Sequence, residues 1–276
     1  MVSRFVCLLV AIAFSLLFAE QSKESLYTQT VRLVIRLEHA LPAGSFKPVG
    51  TAFFVQDSQK QIYVVTARHL VSGRPDLRAR VPSFLSASGK TDVIELRLPG
   101  SRWIFHEDDG DEKTMAVDVA VMKLPGIKER GIVALLYCAK DCPKGEYEQL
   151  AADPELPDQV VIFGFPEDLG FTLKEPRPMG RMGAVALTSD EPYISTLLPD
   201  KTRKFFAKGA FLIDARMFGG NSGSPIIVYG TFKRLTLAGL VSASNRDFDF
   251  GIGTPVSQIA QTINRAQNSD GQFPAW

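Results

Sequence analysis

Cysteine is nearly absent: the chain has 276 residues and 3 cysteines. Cys7 falls in an apolar N-terminal stretch, which leaves Cys138 and Cys142 in "YCAKDCPKG". Two cysteines without a neighbouring histidine are too few ligands for a structural zinc, and no metal or other cofactor is expected. A chain of this length buries a sizeable core without a disulfide framework. One small Cys138–Cys142 bridge is expected in an oxidising compartment, against the plainer alternative of two incidental thiols. Net charge is lacking too, at +1. Removing residues 1–19 takes away Arg4 and no acid, so 30 basic residues then face 30 acidic ones. That balance gives no electrostatic reason to expect nucleic acid or an anionic membrane as partner. Apolar runs of membrane length are missing: the run from Phe5 to Phe18 has 14 residues, short of the roughly 20 that a spanning helix needs. With Arg4 before it and Ala19 and Glu20 after it, the run reads as a cleavable secretory signal over residues 1–19, an uncleaved anchor being the alternative. A secreted or periplasmic protein without further membrane contact is expected.

Helical stripes are absent until the end of the chain. Short β-branched or apolar stretches recur instead: "VRLVIRLE", "GTAFFV", "QIYVVTA", "DVAVMKL", "QVVIFGF", "GAVAL", "SPIIVYG" and "LTLAGLVSAS", each bounded by Gly, Pro, Asp or Ser. In the first, Val31, Leu33, Ile35 and Leu37 alternate with mostly polar neighbours, the period of a half-buried strand. In "PVSQIAQTINRAQ", Val256, Ile259, Ala260 and Ile263 share one helical face and Pro255 stands near the start. Many strands with one closing helix read as an all-β barrel or sandwich protein. There is no internal repeat. The segment from Pro125 to Pro157 is richer in charge and reads as a connector between two halves. The acidic run "HEDDGDEK" (His106–Lys113) lacks the spacing of a calcium loop and reads as solvated surface.

Residues 219–225, "GGNSGSP", crowd Gly219, Gly220 and Gly223 around Asn221, Ser222 and Ser224. Glycine permits backbone angles and close approaches that other residues avoid, which suits a tight turn with free amides and an exposed serine; an ordinary surface turn uses the same residues. A serine hydroxyl becomes a nucleophile when a base takes its proton, and the base works best when a third group orients it. The chain has 3 histidines. His39, among charged neighbours, and His106, in the acidic run, read as surface residues. His69 ends "YVVTARHLV", where an apolar strand runs into the histidine. The carboxylate candidate is Asp118, which opens the apolar stretch "VDVAVMKLP".

"TARH", "DVAV" and "GNSGSP", in that order, resemble the three signature segments of the trypsin-like (chymotrypsin-fold) serine proteases. "GTAFFV", "GLVSAS" and "GIGTPVSQI" resemble the strand before the histidine, the strand that binds substrate backbone and the segment entering the terminal helix. The similarity covers residues 30–265. It implies an all-β fold of two six-stranded antiparallel barrels with a C-terminal helix. It places a linker at 20–29, a first barrel at about 30–125, a connector at about 126–157, a second barrel at about 158–254 and a tail at 266–276. It implies a serine endopeptidase acting on peptide or protein substrates. Ser222 would be the nucleophile, His69 the base and Asp118 its orienter, with the amides of Gly220 and Ser222 as oxyanion hole. The half-cystine that follows the histidine in animal members is Leu70 here, so the chain looks closer to bacterial-type members, including the Deg group. With a tail of only 266–276, the peptide-binding domain that Deg proteins append is not expected. A lipase-like G-x-S-x-G elbow fails, because Ser224 stands where that motif needs glycine and no histidine follows His106. The alternative from another class is an inactive member of the same fold serving as a binding or scaffolding protein.

The resemblance also locates a specificity pocket. Its floor, an aspartate in members that cut after Lys or Arg, is Arg216 here, with Asp214 available to neutralise it. Met217, Ser242 and Ala243 would line it, with Gly251 and Gly253 leaving the far wall open. Arg216 pointing inward would repel a basic substrate side chain, and pointing outward would leave an apolar pocket, so cleavage after basic residues is disfavoured either way. Asn221 stands where animal members carry the aspartate that pairs with a new N-terminal amine. Assembly of the site without zymogen cleavage is therefore expected; an Asn221 amide bonded to the local backbone would keep the turn in place.

Overall fold

The structure, a computed structural model, describes residues 32–269 apart from 42–44, 58, 75, 84–91, 109–116, 125–134, 137–152, 167–176, 189–193, 198–202, 206–209, 230–234 and 246–248. The expected signal, Cys138, Cys142 and most of the acidic run lie outside the described residues. Among the described residues, no helix is long and apolar enough to cross a membrane.

The N-terminal half is one sheet. Its strands are β1 (Val34–Ala40), β2 (Phe46–Gln56), β3 (Ile62–Thr66), β4 (Asp76–Ser83), β5 (Asp92–Pro99), β6 (Ile104–Phe105), β7 (Ala120–Leu124) and β8 (Leu135–Leu136). They run in the order β5-β4-β1-β2-β3-β7-β6, with β8 added beside β2 in parallel. Among the described residues this half, expected to hold six strands, holds eight: seven between Val34 and Leu124, and β8 from the expected connector. β2 and β3 form the centre. Ala52 to Val55 and Ile62 to Val65 are all buried, so these strands read as continuous apolar runs with both faces covered.

The C-terminal half is a closed barrel. After β9 (Gln159–Gly164) and β10 (Met179–Thr188) come the short ribbon β11 (Ile194–Leu197) and β12 (Arg203–Phe205), then β13 (Phe211–Asp214), β14 (Pro225–Tyr229), β15 (Leu235–Asn245) and β16 (Phe250–Pro255). The barrel order is β10-β13-β16-β15-β14-β9, six strands as expected. Val160, Ile162, Val185, Phe211, Ile213, Ile226 and Val241 fill its interior.

The chain closes in helix α1 (Val256–Asn268), which buries Val256, Ile259, Thr262, Ile263 and Ala266 on one face. Pro255 offers no side-chain cap. Asp153 supplies one instead, its Oδ1 accepting the Ser257 N–H at 2.9 Å, with its negative charge at the positive helix end. α1 packs against β6 and β7 of the first half as well as β15 and β16 of the second. Val256, Ile259 and Ile263 join one apolar cluster with Phe53, Val65 and Met122 of the first sheet and Phe163, Ile227 and Leu240 of the barrel. The two halves therefore share a core.

Two histidines correct the surface reading. His106 is 2% exposed and sits between α1 and its own turn: its Nε2 lies 2.7 Å from Gln261 Oε1, and its Nδ1 accepts the Asp108 N–H at 3.1 Å. His39 is half-buried on β1. Acidic neighbours in sequence did not keep the His106 ring in water, because the helix covers it.

Candidate active site

β3 is buried along its length and passes through Ala67 into a single 3-10 turn, Arg68–Leu70. Leu70 anchors that turn in the core, and Gly50 of β2 makes room for it: a Cβ on Gly50 would lie 2.4 Å from Leu70 Cδ1. The turn leaves His69 facing outward, its side chain 46% exposed. β7 pairs with β3 antiparallel, Ala120 opposite Thr66, so Asp118, just ahead of β7, falls beside His69. Asp118 Oδ2 lies 2.7 Å from His69 Nδ1, and Asp118 Oδ1 accepts the His69 backbone N–H at 2.9 Å. One carboxylate thus grips both the ring and the backbone of the same residue. The acceptor at Nδ1 places the imidazole proton there and leaves the Nε2 lone pair free to take another. The strand carrying Asp118 is held in turn, with the Val117 N–H donating to Asp108 O at 2.9 Å and the Asp108 N–H to His106.

Ser222 lies on the turn between β13 and β14, half-buried. Gly220 has φ +88° and Gly223 φ +79°, conformations that side-chain-bearing residues rarely adopt. A Cβ on Gly223 would also lie 2.1 Å from Thr51 O. The backbone groups of this turn can be accounted for one by one. The Asn221 N–H donates to Phe218 O, the Gly223 N–H to Val241 O and the Ser224 N–H to Asn221 O. Ser222 O accepts the Thr51 N–H at 3.0 Å, and Gly220 O accepts the Thr51 hydroxyl at 2.8 Å. From Gly220 to Ser224, the N–H groups left without a partner among the described residues are those of Gly220 and Ser222. Ser224 is fully buried, and a Cβ on Gly164 would lie 2.1 Å from its Oγ, so a glycine opposite makes room for the serine. No hydrogen bond joins the His69 ring to Ser222 among the described residues.

The candidate pocket differs from its sequence reading. Arg216 points outward: its side chain is 66% exposed and its Nε lies 3.4 Å from Asp249 Oδ1. The expected partner, Asp214, is not the one used, because Asp214 pairs with Phe250 across β13 and β16 and Asp249 stands just past the end of that ladder. The Arg216 and Arg181 guanidinium groups lie 5.5 Å and 4.5 Å from the centre of the Phe218 ring. Met217 is buried and lies along Gly251, where a Cβ would come within 2.8 Å of its Cε. The wall expected to be open is thus covered. Gly253 faces away from any pocket, the space of its missing side chain being taken by Phe211 and Ile226 inside the barrel. Interiors are packed densely enough that neighbours occupy what glycine vacates. Ser242 is buried with its hydroxyl bonded to that of Thr254, and Ala243 is half-buried beside it on β15. Among the described residues the Asn221 side-chain amide bonds no backbone atom; its Nδ2 faces Met217 Sδ at 3.8 Å. Among the described residues, no group of His, Cys, Asp and Glu side chains is arranged to hold a metal.

Thr51, Phe218, Asp249 and Gln261 lie around this region and were not singled out in the sequence, and His106 was read there as surface. Only Thr51 carried a usable signal, as a hydroxyl beside a glycine in an otherwise apolar strand.

The family model of the trypsin-like peptidase domain matches residues 50–230. None of the curated proteins matches the chain. Among solved structures, the MamO protease domain from Magnetospirillum magneticum aligns with a TM-score of 0.51 at 18% identity, over 85% of this chain and 97% of that one. A thermostable serine protease, AL20, from an extremophilic microorganism aligns with a TM-score of 0.51 at 13% identity, over 87% of this chain and 99% of that one. At such identities these two likenesses speak to the fold.

Proposed function

The chain belongs to the trypsin-like peptidase domain family, and on that premise we propose that it is a secreted serine endopeptidase, with residues 1–19 as its signal. The observation that carries the reading is the grip of Asp118 on both the ring and the backbone of His69. Ser222 attacks the substrate carbonyl as His69 Nε2 takes its proton. The negative charge that develops on the carbonyl oxygen is met by the Gly220 and Ser222 N–H groups, which the turn leaves unpaired and which are worth about 3 kcal/mol each in barrier. His69 returns the proton to the departing amine, leaving an acyl group on Ser222. A water deprotonated by His69 then releases the acid and regenerates the serine. Asp118 holds the imidazole in the tautomer this cycle uses.

The substrate side chain before the cut meets buried Met217 rather than Arg216, which supports a preference for small to medium apolar residues and none for Lys or Arg. Labelling with a fluorophosphonate tests the catalytic reading. Ser222 of the wild-type chain should be modified and peptides cleaved. Ser222→Ala and His69→Ala should each lower kcat by roughly a million-fold, and the double variant should be scarcely worse, since triad members act as a unit. A folded chain that neither labels at Ser222 nor cuts peptides would be a binding or scaffolding protein instead.

A further inference from the structure

Thr51 lies on β2 in the first sheet, fully buried, yet all four of its hydrogen-bonding contacts converge on the nucleophile turn or the strands around it. Its N–H donates to Ser222 O at 3.0 Å and its carbonyl accepts the Thr66 hydroxyl at 2.7 Å. Its hydroxyl accepts the Phe165 N–H at 3.0 Å and donates to Gly220 O at 2.8 Å. The direction of that last bond is determined. A threonine hydroxyl has one proton, Phe165 can only donate, and the carbonyl of Gly220 can only accept.

We propose that the Thr51 hydroxyl is a positioning group: by fixing the Gly220–Asn221 peptide it limits rotation about the Gly220 Cα, and so holds the Gly220 N–H, which belongs to the preceding peptide, toward the oxyanion. That peptide is fixed at both ends, its carbonyl by Thr51 and its N–H by Phe218 O at 3.1 Å. Rotating it about the glycine, which has no side chain to resist, would break the hydroxyl bond and leave two buried polar groups unpaired. The neighbouring Asn221 side chain does not take this part, because it is turned toward Met217. A residue of the first half thus holds the oxyanion-binding turn of the second.

The inference rests on the peptidase reading, and Thr51→Val tests it, since valine keeps the shape and removes only the hydroxyl. In the folded variant, kcat should fall about 10- to 100-fold with KM unchanged, a part of the ~10²–10³-fold that losing an oxyanion donor costs. Binding of a peptide aldehyde, which presents the tetrahedral oxyanion, should weaken by the same factor. Thr51→Ser should restore most of both. Wild-type kcat in the valine variant, a loss confined to KM, or a serine variant no better than valine would overturn the proposal. If valine prevents folding, the comparison of Thr51→Ala with Thr51→Ser decides on the same readouts. Should the wild-type chain prove inactive, the peptidase reading fails and the Gly220 amide resonance judges this inference alone: it should move in the valine variant and return with serine, and an unmoved resonance would refute it.

Discussion

Met217 lies along Gly251 with its thioether toward Asn221, and on the proposed reading its volume limits the side chain that the candidate pocket admits. Matched peptides differing only at the residue before the cut should be cleaved faster after Ala or Val than after Phe, Lys or Arg. Met217→Ala should shift that order toward Leu and Phe by about tenfold or more, within the range that a few methylenes contribute in an apolar pocket. The same change should destabilise the fold by about 2–4 kcal/mol, readable in urea, because a buried side chain leaves a cavity. Unchanged selectivity would show that Met217 does not face substrate. At this scale His69 and Asp118, which the structure pairs, could be picked out of the sequence from the order of the motifs and the resemblance they carry. Met217 as a filler and Asp249 as the partner of Arg216 could not. Their roles come from strands brought together across long sequence separations, which no local pattern records.

Glu38 shows what strands add. On β1 it faces away from the apolar core, yet it is 2% exposed, because Arg36, Arg78 and Arg80 close over it. Arg36 bonds it through both Nε and Nη2, and Arg78 Nε and Arg80 Nη2 lie 2.9 Å and 3.4 Å from its oxygens. Burial raises the pKa of this carboxyl, but the hydrogen bonds and charges of Arg36, Arg78 and Arg80 together outweigh it and hold the pKa below its ordinary value. A carboxyl with a depressed folded pKa adds stability above its unfolded value, near 4.3, and loses it as pH falls through the folded value. Glu38→Gln should therefore cost about 3 kcal/mol at pH 7, with the gap to wild type narrowing below about pH 4; denaturation curves at the two pH values check this. A gap of equal size at both would mean that the charge does not matter. The helix and the central strands were legible from periodicity, whereas β4 and β5 were not. Their charged residues, Arg78, Arg80, Glu95 and Arg97, look like solvated loop until β1 places Glu38 among them.

Across the whole molecule, the triad candidates of the first half and the nucleophile turn of the second meet over one apolar cluster sealed by α1. Among the described residues, Asn221 offers no charge to a new N-terminal amine, being neutral and turned toward Met217. Protein starting near Glu20 should be active as made, as N-terminal sequencing beside a peptide assay would show; activity appearing only after a further cut would contradict it. The two-half organisation was foreseeable from the order of the motifs, but the common core was not, because the residues that join it are scattered from Phe53 to Ile263. That core also bears on timing. Swinging the halves apart would separate Phe163, Ile227 and α1 from the first sheet, and each 100 Å² of apolar surface exposed costs about 2.5 kcal/mol. On the peptidase reading, the two halves are therefore expected not to swing apart ahead of substrate capture. In stopped-flow mixing of the Ser222→Ala protein with a fluorescent peptide, the observed association rate should climb linearly with peptide concentration, and a plateau would reveal a slow opening that the shared core is expected to forbid.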